Sequence, residues 1–291
     1  MLLHVLLYVF VGSAWSLSDY TTQWLGFSTD NGAFYYYYTE KLPNGTDATY
    51  EKTLLDLHAY AEKEQIPYKY VLLDSWWYKH GSGDGVQEWD ATKATFPSGL
   101  GDFQKKTGWK FQMHNRMWSA DNIYAKQNGG KYDFIMEEGN VLTIPDDQSL
   151  WDDLIANKTS VGLVTYEQDW MYNEFNSLNA TLQDQGLARK WLMQMGEGAK
   201  KSNVAIQYCM EYARFILQTV EIDAVTQVRA SDDYHPGQTG YVEGWRERES
   251  KRDEREREMR DTGRGERVRE RERERERERK KDEDREIQTL T

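Results

Sequence analysis

The chain has 291 residues, of which 37 are basic and 49 acidic, for a formal net charge of −12. Its length allows two average domains or one large α/β barrel, with residues to spare for a buried core. The first 245 residues hold 19 basic and 32 acidic side chains, and a body of that sign, rich in Trp and Tyr, excludes nucleic acid and an anionic membrane surface as partners.

Residues 2–11 form one apolar run, too short to span a bilayer, and Gly-Ser-Ala-Trp-Ser follows at 12–16. This is the pattern of a cleaved signal peptide over 1–16, which leaves a secreted chain with no membrane segment after cleavage. Three Asn-X-Thr sequons, at Asn44, Asn157 and Asn179, accord with export. A first strand is expected around 24–28, with the tyrosine run of 33–39 a candidate extension. Segment 48–65 reads as a helix with Leu54, Leu57, Tyr60 and Ala61 on one face, stopped by Ile66-Pro67. Strand 69–74 follows, then a long loop with glycines at 81, 83 and 85 and a helix near 98–107. Beyond it come strand 109–114, helix 147–156, strand 161–168, helix 183–201, strand 203–209, helix 211–219 and strand 224–230.

Strand and helix alternate through about six units, the order of an α/β parallel sheet or a (β/α)8 TIM-type barrel. A closed barrel takes about 250 residues, so the domain over 17–245 is expected to be an incomplete one that the chain leaves near Trp245. Residues 246–291 carry 18 basic and 17 acidic side chains, and 269–279 alternate strictly Arg-Glu. Such a segment has nothing to bury and reads as a charged helix or a solvated tail. A translated GA dinucleotide repeat would produce the same alternation. The single cysteine, Cys209, excludes an internal disulfide framework, so stability must come from packing.

Catalytic groups of such barrels project from the C-terminal ends of the strands. Strand 69–74 ends in Asp74, followed by Ser75, Trp76 and Trp77; strand 109–114 ends in His114, with Arg116 two residues on. Strand 161–168 runs into Glu167 and Asp169, which share a side by the two-residue strand period. After strand 224–230, Arg229 is followed by Asp232 and Asp233. Carboxylates from different strands with indoles between them suit a carbohydrate: the apolar face of the ring stacks on Trp while its hydroxyls donate to the acids. Paired acids then point to glycoside hydrolysis. Each residue also has a plainer role. Asp74 can form a turn, Trp77 can be core, His114 can be a satisfied structural histidine, Cys209 can be a small buried hydrophobe, and Arg229 can neutralise Asp232 or Asp233. Five scattered histidines show no ligand spacing, so neither a metal nor a cofactor is expected.

Four motifs occur in order: Tyr-Val-Leu-Leu-Asp-Ser-Trp-Trp (70–77), Phe-Pro-Ser-Gly-Leu (96–100), Gln-Tyr-Cys-Met (207–210) and Gln-Val-Arg-Ala-Ser-Asp-Asp-Tyr (227–234). Over residues 24–240 the chain thereby resembles the melibiase-like α-galactosidase clan, nearest its raffinose synthase and alkaline α-galactosidase branch. The resemblance implies a retaining mechanism with two carboxyl groups about 5–5.5 Å apart. It makes Asp169 the nucleophile and Asp232 the preferred acid/base. Asp233 is the alternative, because related lysosomal-type enzymes carry the acid four residues after an Arg. Asp74, Trp76, His114, Glu167, Cys209 and Arg229 form the expected substrate-binding set.

Two departures stand out. Glu167 occupies the place of a Lys two residues before the nucleophile, and Ser75-Trp76 replaces Asp-Gly in the family's Asp-Asp-Gly-Trp, so galactose itself is not specified. Like charges at the spacing of Glu167 and Asp169 raise one pKa. The expectation is a secreted retaining glycoside hydrolase. The alternatives are a catalytically inactive, vestigial carbohydrate-binding protein and an unrelated barrel hydrolase, the latter if Asp169 and Asp232 stand more than about 10 Å apart.

Overall fold

Six strands run parallel and side by side in chain order: β1 (Gly26–Ser28), β2 (Tyr70–Leu73), β3 (Lys110–Asn115), β4 (Leu163–Gln168), β5 (Ala205–Tyr208) and β6 (Val225–Val228). Registers such as Tyr70 opposite Lys110 and Gln207 opposite Glu167 hold them together. The computed structural model describes residues 17–229 and Asp233; the expected signal segment 1–16, Asp232 and the segment 246–291 lie outside the described residues. Sequential parallel neighbours are the order of a (β/α) barrel. Among the described residues β1 and β6 are edges and do not pair, so the barrel is not closed.

Helices cover the outer face. α1 (Tyr50–Lys63) starts where the Thr49 hydroxyl accepts the Lys52 N–H at 3.1 Å, and it carries Glu51 in its first turn and Lys63 in its last, both favourable to the helix dipole. It buries Leu54 and Ala61, but Tyr60, expected on the same face, is 55% exposed. The helix turns 100° per residue, and Tyr60 sits on the solvent side of the stripe. α2 (Leu100–Thr107), α3 (Gln148–Thr159), α4 (Met171–Asn176), α5 (Asn179–Gln183), α6 (Gln185–Lys201) and α7 (Ala213–Gln218) follow. α3 and α6 pack closely because Gly198 has no side chain: a methyl there would lie 2.8 Å from the Trp151 carbonyl carbon. Ala gains up to about 1 kcal/mol of helix propensity over Gly, yet overpacking against backbone costs about 1–3 kcal/mol. Gly198→Ala should therefore lower the thermal midpoint by a few degrees. A raised midpoint would show that α6 slides freely on α3.

The long loop expected after β2 contributes two short strands, 79–80 and 86–88, and the stretch between β3 and α3, for which no strand was expected, contributes three more, to a second sheet in the order 79–80, 86–88, 118–119, 142–145 and 134–136. Strands of two to four residues give no readable alternation, and their pairing is long-range. Gly85 permits one of these approaches, since a Cβ there would stand 2.6 Å from the Ser119 nitrogen. The run 33–39 is not a strand: Tyr35 and Tyr37 have φ of 69° and 54°, which breaks any extended ladder.

The two faces of the parallel sheet differ in character. Outward, Phe111 packs on Phe103 of α2, and Tyr166 meets Trp89 at 5.3 Å and Trp151 of α3 at 6.0 Å. Trp77, Trp89, Trp118 and Trp151 are fully buried in this aromatic core, which joins the second sheet to the barrel. Inward, side chains are polar. The Gln112 amide donates to Glu167 at 2.9 Å and to Gln207 at 3.1 Å. One layer deeper the Asp19 carboxylate, delivered by the segment ahead of β1, accepts from Thr226 at 2.5 Å and Gln227 at 2.7 Å.

Candidate active site

The C-terminal ends of the strands bring together Asp30, Asp74, His114, Glu167, Asp169, Cys209, Arg229 and Asp233. Their backbone frame is specific. The His114 carbonyl accepts the indole N–H groups of Trp77 (3.0 Å) and Trp89 (2.8 Å), two donors that stand where a neighbouring strand would otherwise bond. This pins the end of β3 and aims the imidazole inward. Its Nε2 lies 3.0 Å from Asp169 Oδ2 and its Nδ1 3.1 Å from the Tyr78 hydroxyl, with the Tyr78 ring stacked on it. His114 is 1% exposed. Burial would depress its pKa, but Asp74, Asp169 and Glu167 around it raise it to about 9. It is an imidazolium at neutral pH, and both nitrogens donate.

Asp169 is the anion it serves. Its Oδ1 accepts the Trp170 N–H at 2.6 Å, its Oδ2 faces His114, and the Cys209 thiol bonds to it as well. Burial pushes this carboxyl up, but the His114 hydrogen bond and charge, with Cys209 and Trp170, hold it below the ordinary value. Trp170, the next residue, has a left-handed φ of 56° and supports the Arg116 guanidinium 4.9 Å above its ring. Left-handed backbone at a bulky residue is costly and recurs at functional sites.

Neighbouring acids are displaced the other way. Glu167, 1% exposed, is raised to about 7 by burial against the relief of His114, with Asp74 and Asp169 adding repulsion. Asp30 is raised to about 8 by burial and by Asp74 and Glu167, in spite of Arg229 at 3.0 Å. Glu211 reaches about 7, chiefly by burial. Arg229 grips Asp30 and Asp233 together, and the Asn31 amide donates to Asp233 at 3.0 Å. Asp169, held as an anion, thus shares the cluster with Glu167, Asp30 and Glu211, which hold their protons near neutrality, a division of roles on which acid/base sites are built.

Of the residues expected from sequence, Asp74, His114, Glu167, Asp169, Cys209, Arg229 and Asp233 converge here, and Asp232 lies outside the described residues. Trp76 does not present a platform. It is 6% exposed, stacked on Tyr50 at 3.5 Å and on Phe96 at 6.2 Å, with its N–H on Thr29 at 3.0 Å. Because both neighbours are apolar rings, the indole belongs to the core. Cys209 is fully buried and its thiol is pushed up by burial, so it acts as a donor to Asp169 rather than as a nucleophile. Asp30, Asn31, Tyr78 and Glu211 were not foreseen. Asp30 alone had a signal, since it follows the end of β1 as Asp74 follows β2. A separate cavity of about 280 Å³, lined by Trp89, Tyr124, Tyr132 and Lys158, contains none of the expected site residues. Among the described residues no His, Cys, Asp and Glu group is arranged to hold a metal ion.

Fold and site together define an α/β protein of parallel barrel order with an acidic cluster at the C-terminal ends of its strands. No family model and no curated protein matches the chain. Among solved structures it is similar to an α-galactosidase from Thermus thermophilus, determined in complex with stachyose, at 14% identity and a TM-score of 0.44, over 70% of this chain and 42% of that one. It is also similar to an α-galactosidase from Lactobacillus brevis, at 16% identity and a TM-score of 0.49, over 73% of this chain and 30% of that one. The chain spans less than half the length of either.

Proposed function

We propose that the protein is a retaining glycosidase acting on an α-galactoside-like glycan. The observation that carries the reading is the setting of Asp169: a carboxylate held by three donors, His114, Trp170 and Cys209, with Glu167 and Asp30 in the same cluster displaced toward their protonated forms. Asp169 attacks the anomeric carbon, the glycosidic C–O bond breaks, and the leaving oxygen takes the proton of an acid. Water then displaces the Asp169 ester as that acid, now a base, removes its proton. Asp232 is assigned as the acid/base, because both oxygens of Asp233 are already engaged, one by Arg229 and the other by Asn31, which leaves neither to meet a leaving oxygen. His114 supplies the cation that the family pattern places as Lys at position 167.

The test is proton NMR of the first sugar released from 4-nitrophenyl α-galactoside. The expected product is the α-anomer, which mutarotates later; initial β-anomer would remove the mechanism. The second reading is sugar binding without turnover, favoured by Glu167 standing beside Asp169. Galactose binding measured by calorimetry, with no release of nitrophenol, would establish it.

A further inference from the structure

The connection from β1 to α1 carries five consecutive aromatics, Phe34 to Tyr38, and it touches the acidic cluster at two points. Asp30 holds Arg229 at 3.0 Å, and the Tyr37 hydroxyl donates to Ser75 Oγ at 3.0 Å, one residue from Asp74. Around the second anchor the rings face solvent: Phe34 is 70% exposed, Tyr37 54% and Tyr38 49%. Tyr35 lies between Phe34 (6.2 Å) and Tyr38 (5.9 Å), so the three rings form one patch. Tyr35 and Tyr37 have left-handed backbone, with φ of 69° and 54°, which is unfavourable for residues with a side chain. A loop whose only purpose is to cross the rim would not keep such a conformation to hold apolar rings in water.

We infer that Phe34 and Tyr38 form an outer sugar subsite, which stacks the second and third residues of an oligosaccharide whose terminal residue enters the acidic cluster. This rests on the glycan reading above and extends it to chain length. With Tyr35 only partly exposed between them, the rings of the patch offer roughly 250–300 Å², well below the ~800 Å² a side of a stable protein interface. That area matches one or two pyranose rings, and the phenol hydroxyls provide partners for sugar oxygens. Tyr37, tied to Ser75, sets the distance from patch to cluster.

The experiment is calorimetry on the full chain in an Asp169→Asn background, which prevents turnover, with galactose and the tetrasaccharide stachyose as probes. Stachyose should bind at least tenfold more tightly than galactose. The double substitution Phe34→Ala, Tyr38→Ala should weaken stachyose about tenfold and leave galactose and the thermal midpoint unchanged, while Phe34→Trp should preserve stachyose binding. Unaltered stachyose affinity in the double variant, or equal losses for both sugars, overturns the subsite while leaving the cluster's role standing. No binding of either sugar overturns the glycan reading itself.

Discussion

On the proposed reading, Asp169→Asn should lower kcat on an α-galactoside by about 10⁴–10⁶-fold and leave KM within a few fold, because the amide cannot attack the anomeric carbon that the carboxylate, fixed by His114 and the Trp170 N–H, is placed to reach. The amide oxygen can still accept from His114, so circular dichroism and the thermal midpoint should stay close to those of the parent. Asp232→Asn should lower kcat by a comparable amount for an alkyl glycoside, which needs a proton on its leaving oxygen. For a nitrophenyl glycoside, whose leaving group needs none, the effect should be far smaller. Asp233→Asn should act mainly on KM by releasing Arg229. Turnover that survives in Asp169→Asn would place the nucleophile elsewhere. A leaving-group dependence in Asp233→Asn rather than Asp232→Asn would exchange the two assignments.

Stability should fall as pH rises from about 5.5 to 8.5, as the thermal midpoint measured across that interval would show. Asp30, Glu167 and Glu211 are raised from ordinary values of 3.8, 4.5 and 4.5 to about 8, 7 and 7, and His114 from 6.5 to about 9. All four shifts have one sign: the folded chain binds these protons more tightly than the unfolded chain. Their stabilisation is complete below the unfolded values and is lost as pH climbs through the folded ones. The acids with depressed pKa, Asp169 included, lose their contribution only below about pH 4. For each extra proton the folded state holds, the loss is about 1.4 kcal/mol per pH unit, or roughly 3–6 °C in thermal midpoint. A midpoint that is flat or rising across this interval would show that the carboxyls are not crowded. In Glu167→Gln the slope should shrink between pH 5.5 and 7, because one of the retained protons is gone and the amide still meets Gln112.

Alternation of apolar strands with amphipathic stretches was enough to locate all six parallel strands within a residue or two. The strand face that packs on the helices is apolar and flanked by turn residues, so each strand is marked by neighbouring positions in the chain. The positions of Asp74, His114, Glu167 and Asp169 followed from the same regularity, since strand ends are where this architecture exposes its side chains. Trp76 shows where that reasoning stops. It stands two residues past a strand end, yet whether an indole faces a sugar or a Tyr50 ring depends on a helix that begins 26 residues earlier.

Composition, periodicity and strand-end chemistry thus determined the order of elements, the acidic character of the strand ends and most of the residues that meet there, because each is written in neighbouring positions. Only the tertiary structure decided the charges. His114 became a cation because Asp74, Asp169 and Glu167 from two other strands surround it, and Asp30 entered the site because Arg229 reaches it from 199 positions away. A pKa is set by the groups around an atom and by the water it has lost, and both belong to the folded chain.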